Sequence, residues 1–131
     1  MALDVHVVTP DREVWGGPAD MVIAHGTAGD VGILSGHAPL LIRLAIGELR
    51  IQPAGGGWES VVVDGGFLHV TSEEGATRVD VLATQAETST EVDHAAAQAR
   101  VRELQERASV DDDPSLKIEL EKARVRSELG E

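Results

Sequence analysis

The feature that most constrains this chain is a change of hydrophobic period near residue 85. Before it, β-branched residues and glycines dominate; after it, alanine-rich segments follow a helical period. Leu3, Val5 and Val7 alternate with Asp4 and His6, the pattern of a half-buried strand. Met21–Ala24 is a short apolar run. Leu40–Leu44 and Glu48–Gln52 read as a strand pair joined across Gly47, and Gly55-Gly56-Gly57 as the loop before a strand over Trp58–Val63. Phe67–Thr71 and Arg78–Leu82 follow, separated by Glu73-Glu74-Gly75, and Gly65-Gly66 reads as either a hairpin turn or a bulge between strands, the tight turn being preferred. Strands at this spacing with glycine turns predict an antiparallel β-sandwich or flattened barrel over residues 1–86.

Residues 87–131 read as a two-helix antiparallel hairpin. Thr88 with Glu91, and Thr90 with Asp93, have capping-box spacing ahead of the first helix. Val92, Ala96 and Ala99 form one stripe, and Ala97, Val101, Leu104 and Ala108 a neighbouring one. The first helix is expected to end before Ser109–Asp113, and Asp113-Pro114 has the form of an N-cap followed by proline at the first helical position. The second helix carries a stripe of Leu116, Leu120 and Ala123 and another of Ile118, Val125 and Leu129. The hairpin is expected to pack lightly on the sandwich through its small alanines. No internal repeat is present.

Charge narrows the function. Lys+Arg 11 against Asp+Glu 23 leaves −12, shared as −7 over residues 1–86 and −5 over residues 87–131. Neither half is a basic patch, which all but excludes binding to a phosphate backbone. The chain has no cysteine, hence no disulfide or thiolate chemistry. Trp15, Trp58 and Phe67 are its only aromatics, too few for a stacking platform. The apolar 42 % comes mostly from Val, Ile, Leu and Ala, enough for a thin aliphatic core. The N-terminus has no signal-like run and no window approaches the roughly 20 apolar residues of a spanning helix. The expectation is a soluble, cytoplasmic protein that meets a membrane only through a partner.

Catalytic patterns are weak. The histidines His6, His25, His37, His69 and His94 show no metal-binding spacing, and His6 and His69 read as solvent-facing strand residues. Ser35, His37 and Asp30 lie close enough in sequence to raise a hydrolase triad, but without a nucleophile elbow. Gly26, Gly29 and Gly32 lack the lysine and helix of a phosphate loop and read as turn glycines. The Asp111-Asp112-Asp113 run reads as a solvated loop and cap. No catalytic residue, metal or cofactor is expected.

The segment Gly26-Thr27-Ala28-Gly29-Asp30-Val31-Gly32-Ile33-Leu34-Ser35-Gly36-His37-Ala38-Pro39-Leu40-Leu41 is more specific. With Gly65-Gly66-Phe67-Leu68-His69-Val70 and Val79-Asp80-Val81-Leu82-Ala83, it resembles the epsilon subunits of bacterial F-type ATP synthases over essentially the whole chain. The resemblance implies a non-catalytic rotor subunit of the central stalk: a sandwich that binds the gamma subunit and the c subunits of the rotor ring, and a hairpin that meets catalytic beta subunits when raised and restrains ATP hydrolysis. It implies a peripheral place on the cytoplasmic face of the bacterial membrane. Asp30 and His37, sharing one glycine-flanked loop, are the expected ring contacts; Lys122, Arg124 and Arg126 are the expected contacts of the regulatory tail.

The sequence departs from the relatives that bind regulatory ATP. Those carry an arginine where Val92-Asp93-His94-Ala95-Ala96-Ala97 has Ala96. Asp93 and Glu87 remain, and alone they repel phosphate; Arg124 and Arg126 read as a solvated helix face. Two rival readings stay open, a stand-alone sandwich adaptor with a helical tail and a small hydrolase on Ser35, His37 and Asp30. Capture of gamma favours the rotor subunit, and turnover abolished by His37→Ala favours the hydrolase.

Overall fold

The computed structural model describes residues 2–129. Seven strands precede two helices: β1 (Leu3–Val8), β2 (Glu13–Gly26), β3 (Gly29–Leu34), β4 (Leu40–Pro53), β5 (Glu59–Glu73), β6 (Ala76–Leu82), β7 (Ala86–Thr88), α1 (His94–Ala108) and α2 (Pro114–Glu128). The strands run β1-β6-β5-β4-β2-β3, and a further β1–β2 pairing closes the circuit into a flattened barrel. Every pairing is antiparallel except β1–β6, which is parallel from Leu3↔Thr77 to Val8↔Leu82. The expected half-buried alternation holds in β1, where Leu3, Val5 and Val7 are buried. With Ile33, Leu49, Ile51, Leu68, Val70 and Val79 they build one aliphatic core, each such side chain contributing about 1.5–3 kcal/mol on burial.

Within the strand region three of the sequence expectations change. Gly47 does not divide two strands: β4 is continuous through it, and a Cβ there would lie 3.2 Å from Cδ2 of His25. Gly65-Gly66 is not a tight turn but a bend inside β5. Gly66 has φ 109°, and a Cβ on it would approach the Leu82 carbonyl oxygen to 2.1 Å. Before the bend, β5 pairs with β7 through Val61–Val63; after it, Phe67–Glu73 pair with β6. Glycine therefore serves close backbone approach here rather than chain reversal. Finally, residues 29–34, read as part of a glycine-flanked loop, form β3, joined to β2 by the two-residue turn Thr27-Ala28.

The hairpin is as expected in outline. α1 is capped by Asp93, whose side chain accepts from Ala96 N at 3.0 Å, and α2 by Asp113, which accepts from Ser115 N. Neither of the expected Thr-based boxes starts α1. Thr88 N and Oγ1 instead donate to the Glu91 carboxylate, and Glu91 N returns a bond to Thr88 O, tightening the turn between β7 and α1. Leu104, Leu116 and Ala123 form the interhelix core with Val101 and Leu120. The seam with the sandwich is made by Val92, Val125 and Leu129 on Val62, rather than by alanines; Ala96 and Ala99 are exposed. Residues 86–88 lie in β7, so sandwich hydrogen bonding crosses the expected boundary at residue 86. No helix among the described residues is long and apolar enough to cross a membrane.

Candidate interaction surfaces

The first surface is the tip of the β2–β3 hairpin. Gly26 pairs with Gly29 around the turn, which makes His25 and Asp30 direct cross-strand neighbours. His25 Nδ1 donates to Asp30 Oδ1 at 2.5 Å; the His25 side chain is half-buried and that of Asp30 largely solvent-exposed. Thr27 N donates to Arg43 O at 3.0 Å and ties the tip to β4. Beside it lies a shallow recess of about 240 Å³ lined by Asp30, Val31, Ile42 and Arg43.

His37 is not part of this tip. It follows the opposite end of β3, where its N–H donates to Leu34 O and its Nδ1 to Ala38 O at 2.7 Å. Gly36 N donates to the buried Thr77 Oγ1 at 2.8 Å, fixing that corner to β6. Asp30 and Leu34 alone are separated by about 13 Å of strand. The two residues expected to share a loop thus mark the two ends of β3, and a contact using both must run its length. Asp30 is bonded to His25 rather than His37, so Ser35, His37 and Asp30 assemble no triad. Among the described residues no cluster of three or more His, Cys, Asp or Glu could hold a metal.

The second surface is the seam between hairpin and sandwich. Lys122 Nζ lies 3.8 Å from Asp64 Oδ2 and Arg126 Nε 2.9 Å from Glu87 Oε1, whereas Arg124 is exposed. Asp64 is further held by Thr84 Oγ1 at 2.6 Å and Gln85 N at 3.0 Å, which fixes its carboxylate before any lysine approaches. The Arg126 Nε–H is buried and poorly aligned on its carboxylate, so that pair is held by charge rather than by a formed hydrogen bond. A cleft of about 530 Å³ opens there, lined by Arg100, Lys122 and Arg126 and by Asp64, Glu87 and Glu119. Its three cations face three carboxylates. Sequence reasoning singled out Lys122 and Arg126 but missed Arg100; Asp64 carries no local signal, because its partners lie 20 and 58 residues further along the chain.

Two smaller polar ties frame these surfaces. Arg12 Nη2 reaches both Glu91 oxygens at 3.0 and 2.9 Å; with the Thr88 backbone bond, it holds the Glu91 carboxyl down at about 2. His6 donates from Nδ1 to Glu13 at 2.6 Å and from Nε2 to Asp4 at 2.9 Å. The Glu13 bond is the main reason its imidazole holds a proton more tightly than usual, against the opposing effect of burial.

Comparison with known proteins supplies the family. Residues 2–89 match the family model described as ATP synthase, Delta/Epsilon chain, beta-sandwich domain. The ATP synthase epsilon chain of Synechococcus sp. (strain JA-2-3B'a(2-13)) is 42 % identical over 129 residues, covering 97 % of this chain and 90 % of the relative. That of Gloeothece citriformis is 40 % identical over 130 residues, covering 97 % and 91 %. The chloroplastic epsilon chain of Emiliania huxleyi is 37 % identical over 130 residues, covering 96 % of each. In fold, the chain is similar to one in the OSCP/F1/c-ring assembly of the Euglena gracilis mitochondrial ATP synthase, with a TM-score of 0.81 at 24 % identity, covering 94 % of this chain and 78 % of that one. With the sandwich, the helical pair and the glycine-rich β2–β3 segment all accounted for, this chain belongs to the epsilon-chain family of the ATP synthases.

Proposed function

We propose that the protein is a non-catalytic central-stalk subunit of a proton-translocating F-type ATP synthase, coupling rotation of the membrane ring to the catalytic head through gamma. The observation that most supports this reading is the division of labour in the fold. A rigid barrel presents Asp30 at an exposed hairpin tip, while a separate helical hairpin is seated on it by a narrow apolar seam and two ion pairs. In this reading Asp30 meets cationic groups on the polar loops of the c subunits, and His37 extends the contact along β3. The protein is peripheral, on the cytoplasmic face of the bacterial membrane, and needs no cofactor.

Lys122, Arg124 and Arg126 are the residues that meet the beta subunits when the hairpin rises. In the seated position Lys122 and Arg126 are engaged by Asp64 and Glu87, so raising the hairpin exchanges those acids for others. Over residues 114–131 four basic and four acidic residues cancel, which makes the attraction to the head weak. Removal of residues 90–131 then raises ATP hydrolysis by less than about tenfold. Nucleotide is not held by the isolated protein: Ala96 supplies no guanidinium, and each cation of the seam cleft faces a carboxylate.

The decisive experiment is co-purification of gamma with the tagged full-length chain, followed by affinity for the isolated rotor ring. Asp30→Arg is expected to weaken ring docking while leaving the circular dichroism spectrum and gamma capture intact. Unchanged ring affinity and unchanged proton-driven synthesis in this variant overturn the assignment of Asp30.

A further inference from the structure

The ring contact proposed above takes Asp30 as an isolated acid, but the structure gives it a partner. His25 and Asp30 are paired in register on the rung next to the Gly26–Gly29 pair that closes the β-turn. The imidazole is braced from behind, since its ring packs on the Gly47 backbone, where a Cβ would come within 3.2 Å of Cδ2. Its Nδ1 reaches Oδ1 of Asp30 at 2.5 Å. Among the described residues no donor reaches Oδ2, and the Asp30 side chain remains 68 % exposed. One oxygen is therefore fixed by the fold and the other is presented to solvent.

We propose that His25 is the positioning residue of the Asp30 contact and makes ring docking sensitive to protons. The proposal rests on Asp30 being the ring contact. A neutral imidazole that donates from Nδ1 orients the carboxylate and leaves the pair with a charge of −1, attractive to a cation on the ring. A second proton on the ring nitrogen turns the same bond into an internal ion pair with no net charge. Docking is then strongest with His25 neutral and weakens as it gains its proton.

The other charged groups near the tip do not substitute for it. On β4, Arg43 lines the recess beside Asp30 and lies 6.0 Å from the Phe67 ring centre. Glu48 accepts from Ser60 and sits 3.9 Å from Arg50, which stacks on Trp58. On α2, which packs on β4, Lys122 and Arg126 are directed to Asp64 and Glu87. β3 carries no charged side chain besides Asp30. His25 is the one imidazole in this set, His37 being at the far end of β3.

The test is the affinity of the full-length chain for the purified rotor ring, measured against pH. The wild-type chain is expected to lose about five- to tenfold in affinity from about pH 8 to about pH 5. His25→Asn keeps an amide donor for Asp30 but takes no proton; at about pH 8 it should bind within about twofold of wild type, with the pH dependence gone. His25→Ala, which loses the donor, should bind several-fold more weakly at that pH. In the free chain, the nitrogen chemical shifts of His25 should move on Asp30→Asn with the strand amides unchanged, which verifies the pair in a folded protein. A wild-type pH slope retained in His25→Asn, or full affinity in His25→Ala, overturns the role of His25. Full affinity in Asp30→Asn instead overturns the ring contact itself.

Discussion

The barrel and the hairpin are held together by different physics. In the barrel, strands distant in sequence share one aliphatic core, and residues such as Val5, Ile51 and Leu68 have no solvent exposure. In the hairpin, Leu104, Leu116 and Ala123 form a small buried cluster between the helices, and Val92, Val125 and Leu129 on Val62 make the seam. A long-range core loses stability as a whole when one piece is removed. A two-helix unit with a narrow seam can open by itself, because few buried contacts are lost when it does. That contrast is consistent with the proposal that the hairpin rises while the barrel stays in place.

Substitution in the two cores is the strongest way to break the comparison. Leu68→Ala should cost about 2–5 kcal/mol of global stability, seen as a lower urea midpoint for every strand. Leu104→Ala should be felt locally: amide exchange accelerates in α1 and α2, while β4 and β5 keep their protection. Loss of protection in the strands as well would mean that the two parts unfold as one.

Cutting the chain sharpens the boundary between them. Residues 1–89 are expected to fold alone with native strand signals, since they include β7 and its bonds to Val61–Val63. A fragment ending at residue 85 lacks β7 and should leave that edge of β5 exposed, with faster exchange at Val62, whose backbone faces Glu87 in the ladder. Asp93→Ala has a smaller expected effect, about 1 kcal/mol on α1 through loss of its N-cap bond. Helix content at raised temperature measures it.

The smallest effects come from the exposed polar ties, and they have opposite signs in pH. Glu91 titrates at about 2 rather than 4.5 because Arg12 and Thr88 bind its charged form. Its contribution is complete above the ordinary value and is lost as pH falls from there towards about 2. His6 holds its proton more tightly than the ordinary 6.5 because of Glu13. Its contribution is therefore complete below 6.5 and lost as pH rises through the folded value. Stability profiles of Glu91→Gln and His6→Asn should each lose the corresponding slope. Both groups are partly solvated, so the changes are small beside those of the cores.

Much of this was legible in the sequence. The alternation of Leu3, Val5 and Val7, the Asp113-Pro114 cap and the stripe of Leu116, Leu120 and Ala123 each reappear in the structure. The β2–β3 turn was legible in principle: two residues between Gly26 and Gly29 are the length of a tight hairpin loop, which pairs residue 25 with residue 30. The glycines at 29 and 32 masked the strand period and left Asp30 looking like a loop residue. Gly47 and Gly65-Gly66 misled for a related reason. A glycine required by a turn and one required by close backbone packing look the same in one dimension.

The sequence by itself determined where the chain is a barrel and where it is helical, that the core is aliphatic, where the first helix stops and the second starts, and which family it resembles. These follow from side-chain period, local capping bonds and motif identity, all of which act over a few residues. Only the tertiary structure decided that β1 lies parallel to β6, that β5 bends and changes partner at Gly66, and that Asp64 receives Lys122. Most of these are choices of partner between segments distant in the chain. They are made by how the layers close on one another, and no local pattern of residues carries them.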